Sequence, residues 1–279
     1  MNNIVIIGGD KRQKMLSDIL SNQGFVCRYI DSEEEFLKEN CIFKNDIIVL
    51  PVPISKDREY IYSSNETFKL CINDVLSRAD STNFIFGGRI TEAVKVYLTE
   101  KKIGCFDYSE CEEFEIYNAY LTGLGAVKLL LENTEYDIKR KKALITGFGK
   151  VARFTAQEML KAGCDVYVCA RNKVQTAQAE CSGCKIIEFE KRSSCLYLFD
   201  FVFNTVPENI FNLEDVVHLK GKYFELASAP LGVRKEFFKG REDKYIFGGS
   251  LPGKYLPYSA AEKLAEITVK HINLRNGGD

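Results

Sequence analysis

Between Lys142 and Asn172 the chain reads KALITGFGKVARFTAQEMLKAGCDVYVCARN, and this stretch constrains the fold more than any other. Ala143 to Thr146 is an apolar run too short for a helix and suited to a buried strand. Gly147, Gly149 and Ala152 follow as G-x-G-x-x-A. The first glycine allows a sharp turn out of the strand. The second lets the backbone approach a pyrophosphate, and the small third residue lets the helix lie against the strand. The helix carries Val151, Phe154, Met159 and Leu160 among its apolar residues and stops at Gly163; Asp165 to Cys169 is the next strand. The helix's N-terminal N–H groups, with Lys150 and Val151 in the first turn, are expected to face phosphates.

The second strand ends Ala170-Arg171-Asn172. An NAD site usually places an acidic residue there for the ribose 2′-hydroxyl, whereas a guanidinium suits a 2′-phosphate. Lys150 and Lys173 add nearby positive charge. The expected cofactor is therefore NADP, held by Gly147, Gly149, Lys150, Val151, Arg171 and Asn172. The competing reading is an α/β unit whose glycines serve packing alone.

Composition narrows the rest. A chain of 279 residues with 46 % apolar content has room for two medium domains, each with a core. A net charge of −1 gives no general attraction to nucleic acid or an anionic membrane. The ten cysteines lack framework spacing, no signal peptide is read before the first strand, and no apolar run reaches membrane-spanning length. A cytoplasmic protein with reduced thiols is expected. Cys181-x-x-Cys184 has no second ligand pair, so no metal site is assigned.

The first hundred residues alternate strand and helix. The strands are Asn3 to Ile7, Phe25 to Ile30, Asp46 to Leu50, Asn83 to Phe86 and Gly104 to Phe106. The helices are Lys11 to Ser21, burying Met15, Leu16, Ile19 and Leu20, then Phe68 to Leu76 and Thr91 to Glu100. This order implies a parallel sheet with ligands at its C-terminal edge. Gly8-Gly9-Asp10 imitates a dinucleotide turn, but its spacing is wrong and Asp10 puts negative charge where a pyrophosphate belongs. A long amphipathic helix is predicted from Tyr117 to Glu132 with Tyr117, Leu121, Leu124, Val127 and Leu131 on one stripe. Further strands are expected near Lys185 to Ile187, Leu198 to Asn204, Tyr223 to Leu226 and Tyr245 to Phe247. The turn Asn204-Thr205-Val206-Pro207 is assigned to the cofactor's nicotinamide half, with Leu251-Pro252-Gly253 as a second turn there. A last helix starting near Pro257 carries Ala260, Leu264, Ile267 and Leu274 on one face and returns to the first domain.

The expected fold class is thus α/β: two Rossmann-like or flavodoxin-like parallel-sheet domains joined by a long helix. The domains are 1–116 for substrate, 117–138 as interdomain helix and linker, 139–254 for NADP and 255–279 as the returning helix. A cleft with a hinge is expected between the domains. Arg12, Lys11 and Arg89 lie near strand ends, where they can hold an acidic substrate. His271 lies on an apolar stripe, and neither it nor His218 forms the histidine–carboxylate pair of a 2-hydroxy acid dehydrogenase.

Several of these residues carry a resemblance. The opening Ile6-Ile7-Gly8-Gly9-Asp10-Lys11-Arg12-Gln13 resembles that of the A subunit of bacterial dipicolinate synthase. So do Leu50-Pro51-Val52, Tyr117-Asn118, Thr122 with Gly125, the Gly147 loop, Ala170-Arg171, Asn204-Thr205 with Pro207, Leu226-Ala227-Ser228 with Pro230, and Leu251-Pro252-Gly253 with Pro257, in order. The resemblance implies NADP-linked formation of pyridine-2,6-dicarboxylate in the mother cell of a sporulating bacterium. The substrate it implies is a hydroxylated tetrahydrodipicolinate from the lysine pathway, or the dihydro compound left after loss of water. It also implies a partner, the flavoprotein B subunit; homo-oligomerisation is left open. The chain departs from the family pattern at Leu124, where a glutamate is usual, at Leu256, Tyr258 and Ser259, which replace alanine, lysine and threonine, and at Ala229, where arginine is common.

In this reading Arg12 anchors a substrate carboxylate, with Arg89 and Thr122 as further substrate contacts. Thr122 and the Leu251-Pro252-Gly253 turn shape the pocket, and Asp10, Tyr258 or water takes the proton. The alternatives are another two-domain NADP-dependent oxidoreductase of a small carboxylic acid, or a non-catalytic NADP-binding subunit.

Overall fold

The computed structural model describes residues 3–38 and 44–277. Cys41, like the residues before Asn3, lies outside them, and the nine described cysteines are free thiols. The chain divides into two compact units, one of residues 1–117 with 256–279, the other of residues 118–255.

The first unit is built on β1 (Asn3–Ile7), α1 (Lys11–Asn22), β2 (Val26–Ile30), α2 (Glu33–Lys38), β3 (Ile47–Val49), α3 (Ile72–Arg78), β4 (Phe84–Gly87), α4 (Glu92–Glu100) and β5 (Gly104–Asp107). All pairings are parallel, in the order β2-β1-β3-β4-β5. A parallel sheet covered on both faces needs apolar residues at successive positions, and β1 supplies them. Val5 and Ile7 join Ile48, Ile85, Val75 and Leu98 on one face. Ile4 and Ile6 join Val49, Phe86, Leu16 and Leu20 on the other. Each such side chain contributes about 1.5–3 kcal/mol by leaving water.

A 21-residue helix, α5 (Glu112–Glu132), leads from the first unit into the second. The second unit holds β6 (Lys142–Thr146), α6 (Lys150–Lys161), β7 (Asp165–Cys169), α7 (Lys173–Cys181), β8 (Lys185–Ile187), β9 (Phe201–Asn204), α8 (Leu213–His218), β10 (Lys222–Glu225), β11 (Tyr245–Phe247) and α9 (Leu251–Tyr255). Its six parallel strands run β11-β10-β9-β6-β7-β8. The order reverses between β6 and β9, where a doubly wound sheet opens a crevice. The last helix, α10 (Pro257–Arg275), belongs to the first unit and packs Ala261, Leu264, Ala265 and Ile267 into the core that also holds Leu16 and Leu20.

Three expected elements shift. The helix predicted at Phe68 begins at Ile72, because Tyr60 bridges Cys71 and Ile61 N–H donates to Leu70 O, which keeps that stretch extended. Phe68 and Leu70 still reach the core. The helix α5 starts five residues before Tyr117, and its buried face carries Phe114, Leu121, Ala126, Leu129 and Leu130, while Leu131 is exposed. Leu274 at the end of α10 is likewise exposed. Leu251-Pro252-Gly253 is not an open turn but the start of the short helix α9. On α1, Leu16 and Leu20 are buried, and Met15 and Ile19 are half-buried at the edge.

Candidate functional site

In the second unit, Gly147 leaves β6 with φ +78°, a conformation that glycine adopts without strain. A Cβ there would also lie 2.9 Å from Val206 Cγ2. Gly149 differs. Its φ of −75° and ψ of −170° suit any residue, and a Cβ would meet nothing within 4 Å. It is the N-cap of α6, and it brings no side chain to cap that first turn. Open space thus lies over the N-terminus of a helix beside the β6/β9 switch point, as a dinucleotide phosphate requires. Ala152 is fully buried against the sheet.

The turn after β9 abuts this loop. Asn204 is fully buried. Its Oδ1 accepts from Thr146 Oγ1 at 2.6 Å and Val206 N at 3.2 Å. Its Nδ2 donates to Val206 O at 2.9 Å and Glu225 Oε1 at 2.7 Å. Every hydrogen-bonding position of that amide is engaged, so Asn204 shapes the turn and has no capacity left for a ligand. Thr205 Oγ1 donates to Thr146 O at 2.7 Å and retains its lone pairs for a ligand. Pro207 is exposed. Leu251 and Pro252, assigned to the cofactor from sequence, are buried, with Leu251 packed on Gly125 in the core of this unit. They support the wall of the unit and present no open surface.

Arg171 is exposed at the end of β7. It pairs with Glu208 at 2.7 Å and lies over the Phe189 ring at 4.5 Å. A 2′-phosphate would displace Glu208. Asn172 accepts from Val174 N and Gln175 N as N-cap of α7, so its carboxamide oxygen serves the helix. Lys150 and Val151 occupy the first turn of α6. Thr122 donates to Asn118 O at 2.7 Å and is nearly buried. Lys254 is held by Tyr255 and Glu132.

In the first unit, the glycine turn is closed. Gly9 N donates to Tyr62 O and Ser64 N to Gly9 O, and a Cβ on Gly8 would lie 2.9 Å from Ile61 Cγ2. The segment around Ile61 to Ser64 closes over it. Asp10 caps α1 in a reciprocal box with Gln13. Its carboxylate takes two parallel bonds from Arg12, from Nε and Nη2, both at 2.8 Å. Arg12 Nη2 also donates to Val52 O at 2.9 Å, just beyond β3. Arg12 therefore bridges the ends of β1 and β3, the switch point of this sheet, and its Nη1 makes no bond among the described residues. Burial alone would raise the Asp10 pKa, but the Arg12 hydrogen bonds and charge, helped by Lys56, hold it below its ordinary value of 3.8. The Asp10 carboxylate is thus committed to Arg12 and to the N-cap of α1.

Two more cations border the same edge. Arg89 (φ 54°) follows Gly88, whose backbone bonds Pro51 O and Ile54 N, and its N–H is fixed by Asp107 and Ser109. Lys56, which sequence reading missed, extends from the loop beyond Pro53 and lies 3.9 Å from the Tyr62 ring centre. Tyr258 does not join them. It is exposed and lines a groove with Ile19, Asn22 and Gln23, about 10 Å along α1 from Arg12 at 1.5 Å per residue. His271 lies tilted against Phe106, with ring centres 3.8 Å apart, and His218 Nδ1 bonds Glu214 O. Among the described residues no group of His, Cys, Asp and Glu is arranged to hold a metal ion, and no helix is long and apolar enough to cross a membrane.

Residues 3–109 match the family model for the N-terminal domain of the dipicolinate synthase A subunit. The dipicolinate synthase A subunit of Bacillus subtilis (strain 168) is 24 % identical over 281 residues, covering 96 % of this chain and 94 % of that protein. The crystal structure of the dipicolinate synthase A subunit from Bacillus halodurans superposes with a TM-score of 0.81 at 20 % identity, covering 96 % and 97 % of the two chains. A phosphoglycerate oxidoreductase from Vibrio cholerae o395 shares the fold at TM-score 0.61 and 12 % identity, covering 97 % and 100 %. The chain is thus similar over nearly its whole length to dipicolinate synthase A subunits, and its two parallel-sheet units have the fold seen in those proteins and in the Vibrio cholerae oxidoreductase.

Proposed function

We propose that this chain is the NADP-binding subunit of a dipicolinate synthase, oxidising a dihydrodipicolinate-class ring to pyridine-2,6-dicarboxylate. The observation that carries this reading is the open space over Gly149 at the N-terminus of α6, beside the sheet's switch point. Gly147, Gly149, Lys150 and Val151 are the residues that would hold the pyrophosphate, with Thr205 along the nicotinamide half and Arg171 at the 2′-phosphate. When bound, the cofactor supplies a hydride acceptor. Substrate water loss followed by removal of one hydride and one proton leaves the aromatic ring, so the protein's own residues need chiefly to orient the ring and accept that proton.

Arg12, Arg89 and Lys56 are the carboxylate-binding groups of this reading. Arg12 is held rigid by Asp10 and Val52 while Nη1 stays available, which suits a group that orients an anion. With Asp10 ion-paired and Tyr258 at the far end of α1, water is the proton acceptor. A flavoprotein second subunit completes the assembly in this account, as the resemblance implies.

Cofactor choice is tested at Arg171. Arg171→Ala is expected to weaken NADPH binding about tenfold while leaving NADH binding unchanged, since only the 2′-phosphate loses a charge-assisted partner. Glu208→Gln is expected to tighten NADPH by releasing Arg171 from its present pair. Equal effects on both cofactors would remove Arg171 from the site.

A further inference from the structure

At the end of β10 lies an acidic residue whose carboxylate has no cation beside it among the described residues. Glu225 is fully buried. Its Oε1 accepts from Asn204 Nδ2 at 2.7 Å and Ala227 N at 3.1 Å. Its Oε2 accepts from Tyr223 Oη at 3.0 Å and Gly232 N at 2.9 Å. Asn204 Nδ2, Ala227 N and Gly232 N can only donate to it, and Tyr223 Oη donates in this arrangement. Burial nevertheless pushes its pKa above the usual carboxylate value, against the pull of those hydrogen bonds. For the fold alone, a buried charge without a counter-charge is a costly choice. Its partners show what the charge arranges.

Asn204 has two possible amide orientations. Glu225 selects the one with Nδ2 facing it, and that choice leaves Oδ1 for Thr146 Oγ1 and Val206 N. The Thr205–Val206 turn is thereby set against Gly147, where Thr205 Oγ1 stands 3.2 Å and Val206 Cγ2 2.9 Å from the position a Cβ would take. The other oxygen binds the loop that follows β10 through Gly232 N. A side chain at Gly232 would strike Asn204 Nδ2 at 2.3 Å and Tyr223 Oη at 2.6 Å. One carboxylate therefore aligns the turn after β9, the loop after β10 and, through Thr146, the end of β6.

We propose that Glu225 is a positioning residue for the nicotinamide half of the cofactor: through Asn204 it fixes the Thr205–Val206 surface beside the glycine loop. This rests on the dinucleotide reading above. Glu225→Gln keeps the shape but offers one acceptor oxygen in place of two, so its NH2 must face an N–H donor on one side, Asn204 Nδ2 with Ala227 N or Gly232 N, and the two loops are no longer held together by one group. Tyr223→Phe removes one partner of Glu225 and leaves the Asn204 arm intact.

The experiment is calorimetric titration of wild type, Glu225→Gln and Tyr223→Phe with two probes. The first is whichever of NADPH and NADH the wild type binds. The second is the matching adenosine half, 2′,5′-ADP or AMP. For Glu225→Gln the whole cofactor is expected to bind about tenfold more weakly while the adenosine half binds within about twofold of wild type, the size expected of one lost hydrogen-bonding arrangement. Tyr223→Phe is expected to bind both like wild type. A general loosening of the unit would weaken both probes together, and that result overturns the proposal. So does a Glu225→Gln variant with wild-type affinity for the whole cofactor. If Glu225→Gln does not fold, Glu225→Asp, which keeps the charge and shortens its reach, is held to the same expectations. A wild type that binds neither dinucleotide overturns the cofactor reading itself, a result distinct from any difference among variants.

Discussion

Gly149→Asp is expected to raise the stability of the protein slightly and to abolish nicotinamide dinucleotide binding. The two effects have opposite sign because the two demands on this position are separate. For the fold, Gly149 is an N-cap with ordinary extended dihedrals, no capping side chain and nothing within 4 Å of a Cβ. Aspartate is a better N-cap than glycine by a few tenths of a kcal/mol and has less chain entropy to lose on folding. For the ligand, the same carboxylate would fill and charge the place proposed for the pyrophosphate, and the expected affinity loss is at least about 100-fold, or 2.7 kcal/mol. Gly147→Ala would not make this distinction. Its φ of +78° and its contact with Val206 make any side chain there a cost to the fold as well. Thermal denaturation and cofactor titration on one preparation check both halves. A Gly149→Asp protein that binds NADPH like wild type would place the cofactor elsewhere.

Asp10→Ala is expected to destabilise the first unit strongly. It leaves Arg12, which is 4 % exposed, without the acceptor for its Nε and for one of its Nη2 protons, and it removes the N-cap of α1. Breaking a buried pair from one side costs about 3–5 kcal/mol, and the lost cap about 1 kcal/mol more. At about 2–4 °C per kcal/mol, the melting temperature falls by roughly 10 °C or more. The double variant Asp10→Asn with Arg12→Met, which keeps the cap and removes the charge, is expected to recover most of the loss. The pH dependence has a defined sign. The Asp10 carboxyl is held below 3.8 in the folded protein, so its contribution is complete above about that pH and is lost as the pH falls through the folded value. The stability gap between wild type and Asp10→Asn must therefore narrow in strong acid. A single variant within 1 kcal/mol of wild type would contradict this account of the pair.

How much the sequence discloses follows from how local each signal is. The G-x-G-x-x-A loop is a contiguous demand of backbone geometry, so its strand, turn and helix are readable directly. The alternation of strands and helices likewise carries both parallel sheets. Stripe positions at helix ends are less secure: Leu131 and Leu274 keep helical spacing yet extend beyond what the core covers. Roles that depend on a distant partner are not readable. Asp10 and Arg12 stand two apart in sequence, and nothing in that spacing announces a bidentate pair tied to Val52 forty residues later. Asn204 reads as a ligand contact because it begins a turn, but Thr146, Val206 and Glu225 use all of its bonding capacity. Glu225 draws no notice in the sequence because an acidic residue ending a strand is ordinarily solvated; its burial is set by Asn204 and Gly232 from elsewhere in the unit. Tyr258 gains its assignment from its place in a motif, whereas its side chain faces the far end of α1.

The measurement that bears most directly on the central claim is product stoichiometry. Freshly generated hydroxy-tetrahydrodipicolinate is supplied with NADP⁺ to the chain, alone and with a flavoprotein B subunit, and NADPH and pyridine-2,6-dicarboxylate are followed together. The account predicts one NADPH for each pyridine-2,6-dicarboxylate formed, since loss of water and removal of one hydride and one proton balance the conversion, and it predicts that Gly149→Asp forms neither. Pyridine-2,6-dicarboxylate appearing without NADPH, or a chain that binds NADP⁺ and forms no product with or without the second subunit, would contradict it.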